Sequence, residues 1–119
     1  MENSKMRAEL VDYLKGLSSR AYQYNCWVHK SCPEGVEHDE LDYAVHFLFD
    51  DTNLSCKPES YIGTILKDSK EAGLVKDVCV ELTKIFDTHG YDHPDEKYIE
   101  LREWASVLDA ASKAIKVMK

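Results

Sequence analysis

The stretch SKEAGLVKDVCVELTKIFDTHG, residues 69–90, decides the fold class. Apolar side chains recur in it every three or four residues, and this spacing places them along one face of an α-helix. They are Leu74, Val75, Val78, Leu82, Ile85 and Phe86. Ser69 begins this helix, and Gly90 predicts its end because glycine readily adopts the left-handed conformation found after a helix. A helix with one apolar face needs partners, so we expect the rest of the chain to supply further helices around a shared core.

The same periodicity continues towards the N-terminus. Asn3 or Ser4 is expected to cap a first helix, because both side chains can accept a hydrogen bond from the free N–H groups of a first turn. Ser18 or Ser19 is expected to cap a second helix in the same way. Residues 32–35, with the sequence CPEG, predict a loop after it, since proline and glycine both interrupt a helix.

Helical signals also cover the rest of the chain. Asp39, with Asp42 three residues later, resembles a capping box that opens a third helix. Pro58 suits the first turn of a fourth helix, and Pro94 begins a last helical region that is expected to break near residues 100–103. No stretch shows the strict alternation of a strand over a useful length. The prediction is an all-α protein, built as a compact single-domain bundle of five or six helices.

The length and charge of the chain exclude several classes of partner. Its 119 residues fit one domain over residues 1–119, and 44% hydrophobic residues are enough for a packed core. The formal net charge is -7. Nucleic acid and anionic membrane surfaces attract basic proteins, so neither is expected as a partner. We expect a monomer or a weak dimer that needs no cofactor.

The start of the chain and its cysteines favour a cytoplasmic protein. No N-terminal segment pairs a basic start with an apolar core, and the apolar stretches are too short to span a bilayer. Four cysteines occur, at positions 26, 32, 56 and 79. Without a secretion signal we expect their thiols to be reduced, and Cys79 to pack as a small apolar residue.

The segment from residue 31 to residue 56 carries seven acidic residues and no Lys or Arg. Its centre, HDELDYAVHFLFDD at residues 38–51, sets several of these acids among large aromatic residues. At about 100° per residue, one stripe of the third helix must face the core. This stripe consists of Leu41, Ala44, Val45 and Leu48. The opposite side then holds Asp39, Asp42, His46 and Asp50, flanked by Tyr43 and Phe47.

We predict that this acidic and aromatic surface binds a basic protein. Aromatic side chains supply anchors that lose contact with water, and carboxylates speed the encounter and select the partner. The candidate partner-binding residues are Glu34, Glu37, Asp39, Glu40, Asp42, Tyr43, His46 and Phe47. The alternative is a solvated charged face in which Phe47 lies under a neighbouring helix. The sequence leaves open whether the row of Asp42, His46 and Asp50 is structural or functional.

Metal binding and catalysis are the weaker hypotheses. Four possible zinc ligands fall in one short run, whereas structural zinc sites pair ligands from two separated knuckles. These residues are Cys26, His29, Cys32 and His38. A helical metal-dependent hydrolase would draw on His38, Asp42, His46 or His89. The sequence contains no recognisable nucleophile elbow and no glycine-rich phosphate loop, so we predict a protein that is not an enzyme.

Three blocks of the sequence resemble a family of small bacterial helical proteins. They are the pair Trp27–Val28, the run EHDELDYAVHFLFDDT at residues 37–52, and Tyr61, Ile62 and Gly63 with Leu66. In that family a tryptophan-valine pair precedes an LD-x-AVHFLFDDT block and an I-G-x-x-L block. Some similar small acidic helical proteins are immunity proteins of bacterial toxin systems, including contact-dependent growth inhibition. The resemblance therefore implies a toxin inhibitor.

These observations together predict an immunity protein that binds and occludes a basic bacterial toxin, with a nuclease as the expected target. Nucleases have basic clefts for phosphate, and an acidic aromatic surface can occupy such a cleft as a substrate mimic. Immunity surfaces are specific to each toxin, whereas relatives share the block that holds Asp50 and Asp51. We therefore give residues 34–42 more weight than those two. The alternative is a cytosolic adaptor or regulator, which a neighbouring toxin gene would distinguish from an immunity protein.

Overall fold

The longest helix, α4 (Ser69–His89), lies where the sequence predicts it. A computed structural model describes residues 3–118 of the chain. The carboxylate of Asp68, one residue before the helix, accepts a hydrogen bond of 3.0 Å from the backbone N–H of Glu71. Gly90 ends the helix at φ 84°, a conformation that favours glycine. Its inner face includes the buried residues Val75, Val78, Cys79, Leu82, Ile85 and Phe86.

Two further regular helices, α1 (Ser4–Leu17) and α6 (Trp104–Met118), complete what we call the helical frame. α6 packs against both α1 and α4. Asn3 caps α1, because its side-chain oxygen accepts a hydrogen bond of 3.0 Å from the backbone N–H of Met6. Leu10, Leu14 and Leu17 of α1 are fully buried, as are four residues of α6. Those four are Trp104, Val107, Ala111 and Ala114.

A partly buried ion pair ties α1 to the start of α4. The Nη1 and Nη2 atoms of Arg7 lie 2.7 Å and 2.9 Å from the two carboxylate oxygens of Glu71. Arg7 also donates to the carbonyl of Ile65, and Glu71 accepts from the backbone N–H of Lys67. The hydrogen bond with Arg7 lowers the pKa of Glu71, although its burial opposes this shift. The charged form of Glu71 is therefore the one that stabilises the fold.

The three remaining α-helices are short, and two of them change their winding. α2 (Arg20–Tyr22) continues as a π-helix over Gln23–Val28, and α3 (Leu41–His46) continues as a π-helix over Phe47–Asp51. α5 (Asp95–Glu100) precedes the break before α6 that the sequence predicts. With six α-helices and no strand within residues 3–118, the prediction of an all-α bundle is confirmed. No helix of these residues is long and apolar enough to cross a bilayer.

The prediction of a full helix after Pro58 is wrong. The chain forms only a 3₁₀ turn, Pro58–Tyr61, and then reverses direction at Gly63, whose φ of 97° does not fit a helix. The carbonyl of Tyr61 accepts hydrogen bonds from the backbone N–H groups of Ile65 and Leu66, so both residues turn back into the core. Ile62 is exposed as a result and does not lie on an inner face.

The expectation of four reduced thiols is also wrong, because Cys26 and Cys32 form a disulfide. The π-helix ends at Val28, and Lys30 adopts a left-handed conformation with φ 61°. This reversal brings the Cα atom of Cys32 to within 4.2 Å of that of Cys26. Cys56 and Cys79 are free. Cys79 is buried as predicted, and this burial raises the pKa of its thiol to about 12.

Candidate protein-binding groove

A groove of about 610 Å³ lies between α1, α2 and the segment that leads into α3. Three carboxylates line it, from Glu9, Asp12 and Asp39, together with three tyrosines. The tyrosines are Tyr13, Tyr22 and Tyr43. Lys15, His38 and the hydroxyl-bearing Ser19 complete its polar lining. We call this cavity the acidic groove, because its carboxylates outnumber its ammonium groups.

Asp39 holds the wall of the acidic groove in place. One oxygen of its carboxylate accepts hydrogen bonds from the hydroxyl of Tyr22 at 2.6 Å and from Nε1 of Trp27 at 3.1 Å. The other oxygen accepts from the backbone N–H of Glu40 at 2.9 Å. The segment before α3 is thereby fastened to α2. Asp39 is thus first of all a structural residue, whose carboxylate already has three donors.

The predicted capping box at Asp39 and Asp42 is therefore wrong. α3 begins at Leu41, after Glu40, and no side chain from its own segment caps it. Instead, the backbone N–H of Leu41 donates to the carboxylate of Asp95 at 3.0 Å. This cap comes from a residue 54 positions away along the chain. A capping box is recognised by local spacing, so the sequence pattern could not reveal a cap that comes from a distant residue.

The floor of the acidic groove depends on Gly16. A Cβ atom at this position would lie 3.2 Å from the ring of Tyr22, which is tighter than most contacts of this kind. Glycine therefore lets α1 and α2 approach closely, with the Tyr22 ring against the helix backbone. Burial raises the pKa of Tyr22, and its hydrogen bond to the Asp39 carboxylate raises it further. Tyr22 consequently stays protonated and keeps donating to Asp39.

The structure separates the two aromatic residues predicted to contact a partner. Tyr43 is 43% exposed at the groove and packs edge-on against His38, with ring centroids 5.6 Å apart. Phe47 is only 2% exposed, so its prediction as a partner-binding residue is wrong. Its ring packs 5.1 Å from that of Tyr13 because α1 covers this flank of α3. Only the alternative interpretation placed Phe47 under a neighbouring helix, and that interpretation is correct for this residue.

The other predicted residues lie around the acidic groove and not in it. Glu34 and Glu37 are exposed in the loop before α3, and the half-buried Glu40 pairs with Nε2 of His38 at 2.9 Å. Asp42 and His46 are exposed on α3, where His46 stands between two carboxylates. Its Nε2 lies 3.3 Å from Asp42 and its Nδ1 lies 2.7 Å from Asp50. This row adds acidic charge beside the groove.

The groove residues that sequence reasoning missed include Glu9, Asp12, Tyr13 and Tyr22. Three of them lie on one face of α1, at the three- and four-residue spacing that brings helix neighbours together. This spacing is visible in the sequence. What the sequence does not show is that this face of α1 borders the segment leading into α3.

The whole chain, residues 1–119, matches the family model described as Domain of unknown function (DUF7945). The chain belongs to this family. Among curated proteins and among solved structures, none matches it.

In this DUF7945 chain the cysteines of the weaker zinc hypothesis are not available as thiolates, because Cys26 and Cys32 are bonded to each other. The histidines of the hydrolase hypothesis are paired with carboxylates. His38 pairs with Glu40, and His89 lies 2.7 Å from a carboxylate oxygen of Glu103. Within residues 3–118, no three His, Cys, Asp or Glu side chains are grouped so that they could hold a metal ion.

Proposed function

We propose that this DUF7945 protein is an immunity protein, which binds a basic bacterial toxin and occludes its active surface. One observation carries the proposal: the acidic groove combines three tyrosines with three carboxylates in a single concave surface. Tyrosine is enriched at binding hot spots because its ring supplies a large apolar area and its hydroxyl a hydrogen bond. Carboxylates beside such rings favour a partner that presents arginine or lysine side chains.

The shape of the acidic groove favours a segment of protein over a flat surface. Three sides are present: α1 with Glu9 and Asp12, α2 with Tyr22, and the start of α3 with the segment before it, which carry Tyr43 and Asp39. A protruding basic loop or helix can therefore contact residues from three elements at once. Because Asp39 is held by hydrogen bonds from Tyr22 and Trp27, its wall is ordered before the partner arrives.

The exposed acids around the groove support the same proposal in a different way. Glu34, Glu37, Asp42 and Asp50 are exposed near the groove-lining segment 36–43. Charges at the rim of an interface mainly increase the association rate and its dependence on salt. A nuclease is the proposed class of toxin, because a cleft that binds phosphate presents the complementary positive charge. Inhibition would then be stoichiometric and would require no catalysis by the immunity protein.

The test uses the product of the neighbouring gene and variants that reverse charge inside the groove. In Glu9→Lys/Asp12→Lys both altered side chains are exposed on α1, so the fold should persist. Like charges facing each other across an interface cost several kcal/mol, so the dissociation constant should rise by about 100-fold or more. Calorimetric titration gives this constant, and survival of cells that express the toxin gives the protection.

A matched control carries the same change of charge outside the groove. Asp77→Lys/Asp109→Lys reverses two exposed carboxylates on α4 and α6, and it should bind and protect as the unaltered protein does. If the groove variant binds as tightly as this control, the toxin-binding surface is elsewhere. If the neighbouring gene product binds the groove but has no toxic activity, the protein is the adaptor or regulator of the alternative hypothesis.

A further inference from the structure

A second cavity, of about 340 Å³, lies on the other side of the start of α3. Its aromatic wall comes from the end of α4, the turn after it, and α5. Phe86 and Tyr91 are stacked, with ring centroids 4.9 Å apart and planes 22° apart. Tyr98 meets Phe86 edge-on at 5.4 Å. We call this cavity the aromatic pocket, and it shares no lining residue with the acidic groove.

The aromatic wall is fixed by the fold, and one of its rings is open to solvent. The hydroxyl of Tyr98 donates to the carbonyl of Gly90 at 2.6 Å, which holds the turn after α4 against α5. Phe86 and Tyr98 are nearly fully buried, whereas Tyr91 is 71% exposed. Tyr91 therefore offers free ring surface beside a rigid apolar base.

Carboxylates border the aromatic pocket on the side of α3 and α5. Glu40, Asp42 and Asp95 line it, and within the described residues no Lys or Arg does so. Among residues 3–118, Glu40 and Asp42 form ion pairs only with the histidines His38 and His46. Lys30, which lies outside the lining, is close enough to Asp95 to lower its pKa. Burial raises the pKa of Asp95 overall, although the hydrogen bond from the backbone N–H of Leu41 opposes this shift.

We propose that the aromatic pocket binds the guanidinium group of one arginine side chain of the partner protein. Guanidinium is planar, stacks on aromatic rings, and donates paired hydrogen bonds to carboxylates, and the pocket offers both kinds of surface. At about 340 Å³ it is at the small end of ligand sites, which suits a single side chain. The proposal rests on the proposed function only in naming a basic protein as the source of this arginine.

The two cavities flank one short stretch of chain. Asp39 and Tyr43 line the acidic groove, whereas Glu40, Leu41 and Asp42 line the aromatic pocket. A partner that covers the first turn of α3 therefore contacts both cavities. The acidic groove would take its protruding basic segment, and the aromatic pocket one further arginine beside it.

The test does not need the toxin. N-acetyl-arginine methylamide is titrated into the labelled protein and followed by NMR, with N-acetyl-citrulline methylamide as the uncharged control of the same shape. Saturable shifts should appear at Tyr91, Asp95 and Tyr98, and the citrulline compound should bind at least about 5-fold more weakly, because it lacks the charge. Absence of shifts, or equal binding of the two compounds, would overturn the proposal without affecting the acidic groove.

Two variants locate the binding. Tyr91→Ala removes an exposed ring, and Asp95→Asn removes a charge while keeping an oxygen that can accept from the N–H of Leu41. Each should weaken arginine binding by about 5-fold or more, whereas Tyr43→Ala in the acidic groove should leave it unchanged. If Tyr43→Ala weakens it and Tyr91→Ala does not, the arginine occupies the acidic groove and the proposal is wrong. The comparison of the two compounds on the unaltered protein stands even if a variant fails to fold.

Discussion

In the helical frame of α1, α4 and α6, buried positions follow the period of the α-helix. The backbone of residues 20–68, by contrast, is irregular. The frame buries leucines, valines and alanines against one another. The segment 20–68 contains two π-helices, a 3₁₀ turn and a disulfide-closed loop. Two sides of the acidic groove come from this irregular segment.

In residues 20–68, buried polar side chains add hydrogen bonds to the apolar packing that this segment shares with the frame. Gln23, which is fully buried, donates to the carbonyl of Gly16 at 2.8 Å and accepts from Nε1 of Trp104 at 2.9 Å. Thr52 donates from its hydroxyl to the carbonyl of Phe47 at the end of the second π-helix. Hydrogen bonds of this kind allow an irregular backbone to persist, because each buried polar group has a partner. The comparison teaches that the frame is specified locally and the groove by distant contacts.

The largest expected effect is on the frame. Glu71→Gln breaks the partly buried ion pair and leaves the charge of Arg7 without this counterion, which should lower the free energy of unfolding by about 3 kcal/mol, the low end for buried pairs, because Arg7 is partly exposed. Urea denaturation at pH 7 measures this loss. The exposed pair of Asp109 and Lys113 is the control, and Asp109→Asn should cost less than about 0.5 kcal/mol.

Acid titration shows whether the charge of Glu71 is responsible. Its pKa is lower in the folded state than in the unfolded chain, so the folded state binds fewer protons. The stabilisation is fully present above the ordinary glutamate pKa of about 4.3 and is lost as the pH falls through the lowered value. Glu71→Gln should remove this part of the pH dependence. An unchanged acid profile in the variant would assign the stability to packing and not to charge.

A smaller effect is expected from the groove wall. Asp39→Ala removes the acceptor of Tyr22 and Trp27, and hydrogen bonds to a charged group contribute about 1.5–3 kcal/mol, so a loss of about 2–3 kcal/mol should follow. The indole N–H resonance of Trp27 should shift at the same time. Asp42→Ala, at an exposed position within α3, should change stability by no more than about 0.5 kcal/mol. Equal effects of the two substitutions would mean that the groove wall is held by something other than Asp39.

The smallest of the three effects concerns the disulfide. A disulfide that closes a short loop stabilises a protein by an amount at the low end of the usual range. Cys26→Ser/Cys32→Ser should therefore lower the free energy of unfolding by about 2 kcal/mol. Without a reducing agent, the denatured protein should present two reactive thiols, from Cys56 and Cys79. Cys56→Ser, at an exposed free thiol, serves as the control. Four reactive thiols would show that the bridge does not form.

The sequence predicts the frame well because its information there is local. The cap of α1 at Asn3, the end of α4 at Gly90 and the break before α6 all follow from residues within a few positions of one another. The cap of α2 by Ser19, outside the frame, is local in the same way. The π-helices and the cap of Leu41 by Asp95 are not local. They depend on which side chains from distant parts of the chain meet after folding, and the pattern of a single sequence does not reveal these contacts.

The candidate site shows the same limit. Tyr43 is found by its position beside the acids, and it does line the acidic groove. Glu9 and Asp12 were missed because they lie in α1, and the sequence does not predict which elements pack beside that helix. Phe47 was misplaced because a helical wheel places it at the border of the core stripe, where the packing of α1 decides its burial.

The reversal at Lys30 has a consequence for proteolysis. Lys30 is exposed, and it lies inside the ring that the Cys26–Cys32 bridge closes. A trypsin-like protease that cuts after it would open the ring without separating the two parts of the chain, because the bridge still joins them. The segment that carries Asp39 and Tyr43 would remain covalently joined to α2 after such a cut, and this covalent link would be lost only if the bridge were also reduced.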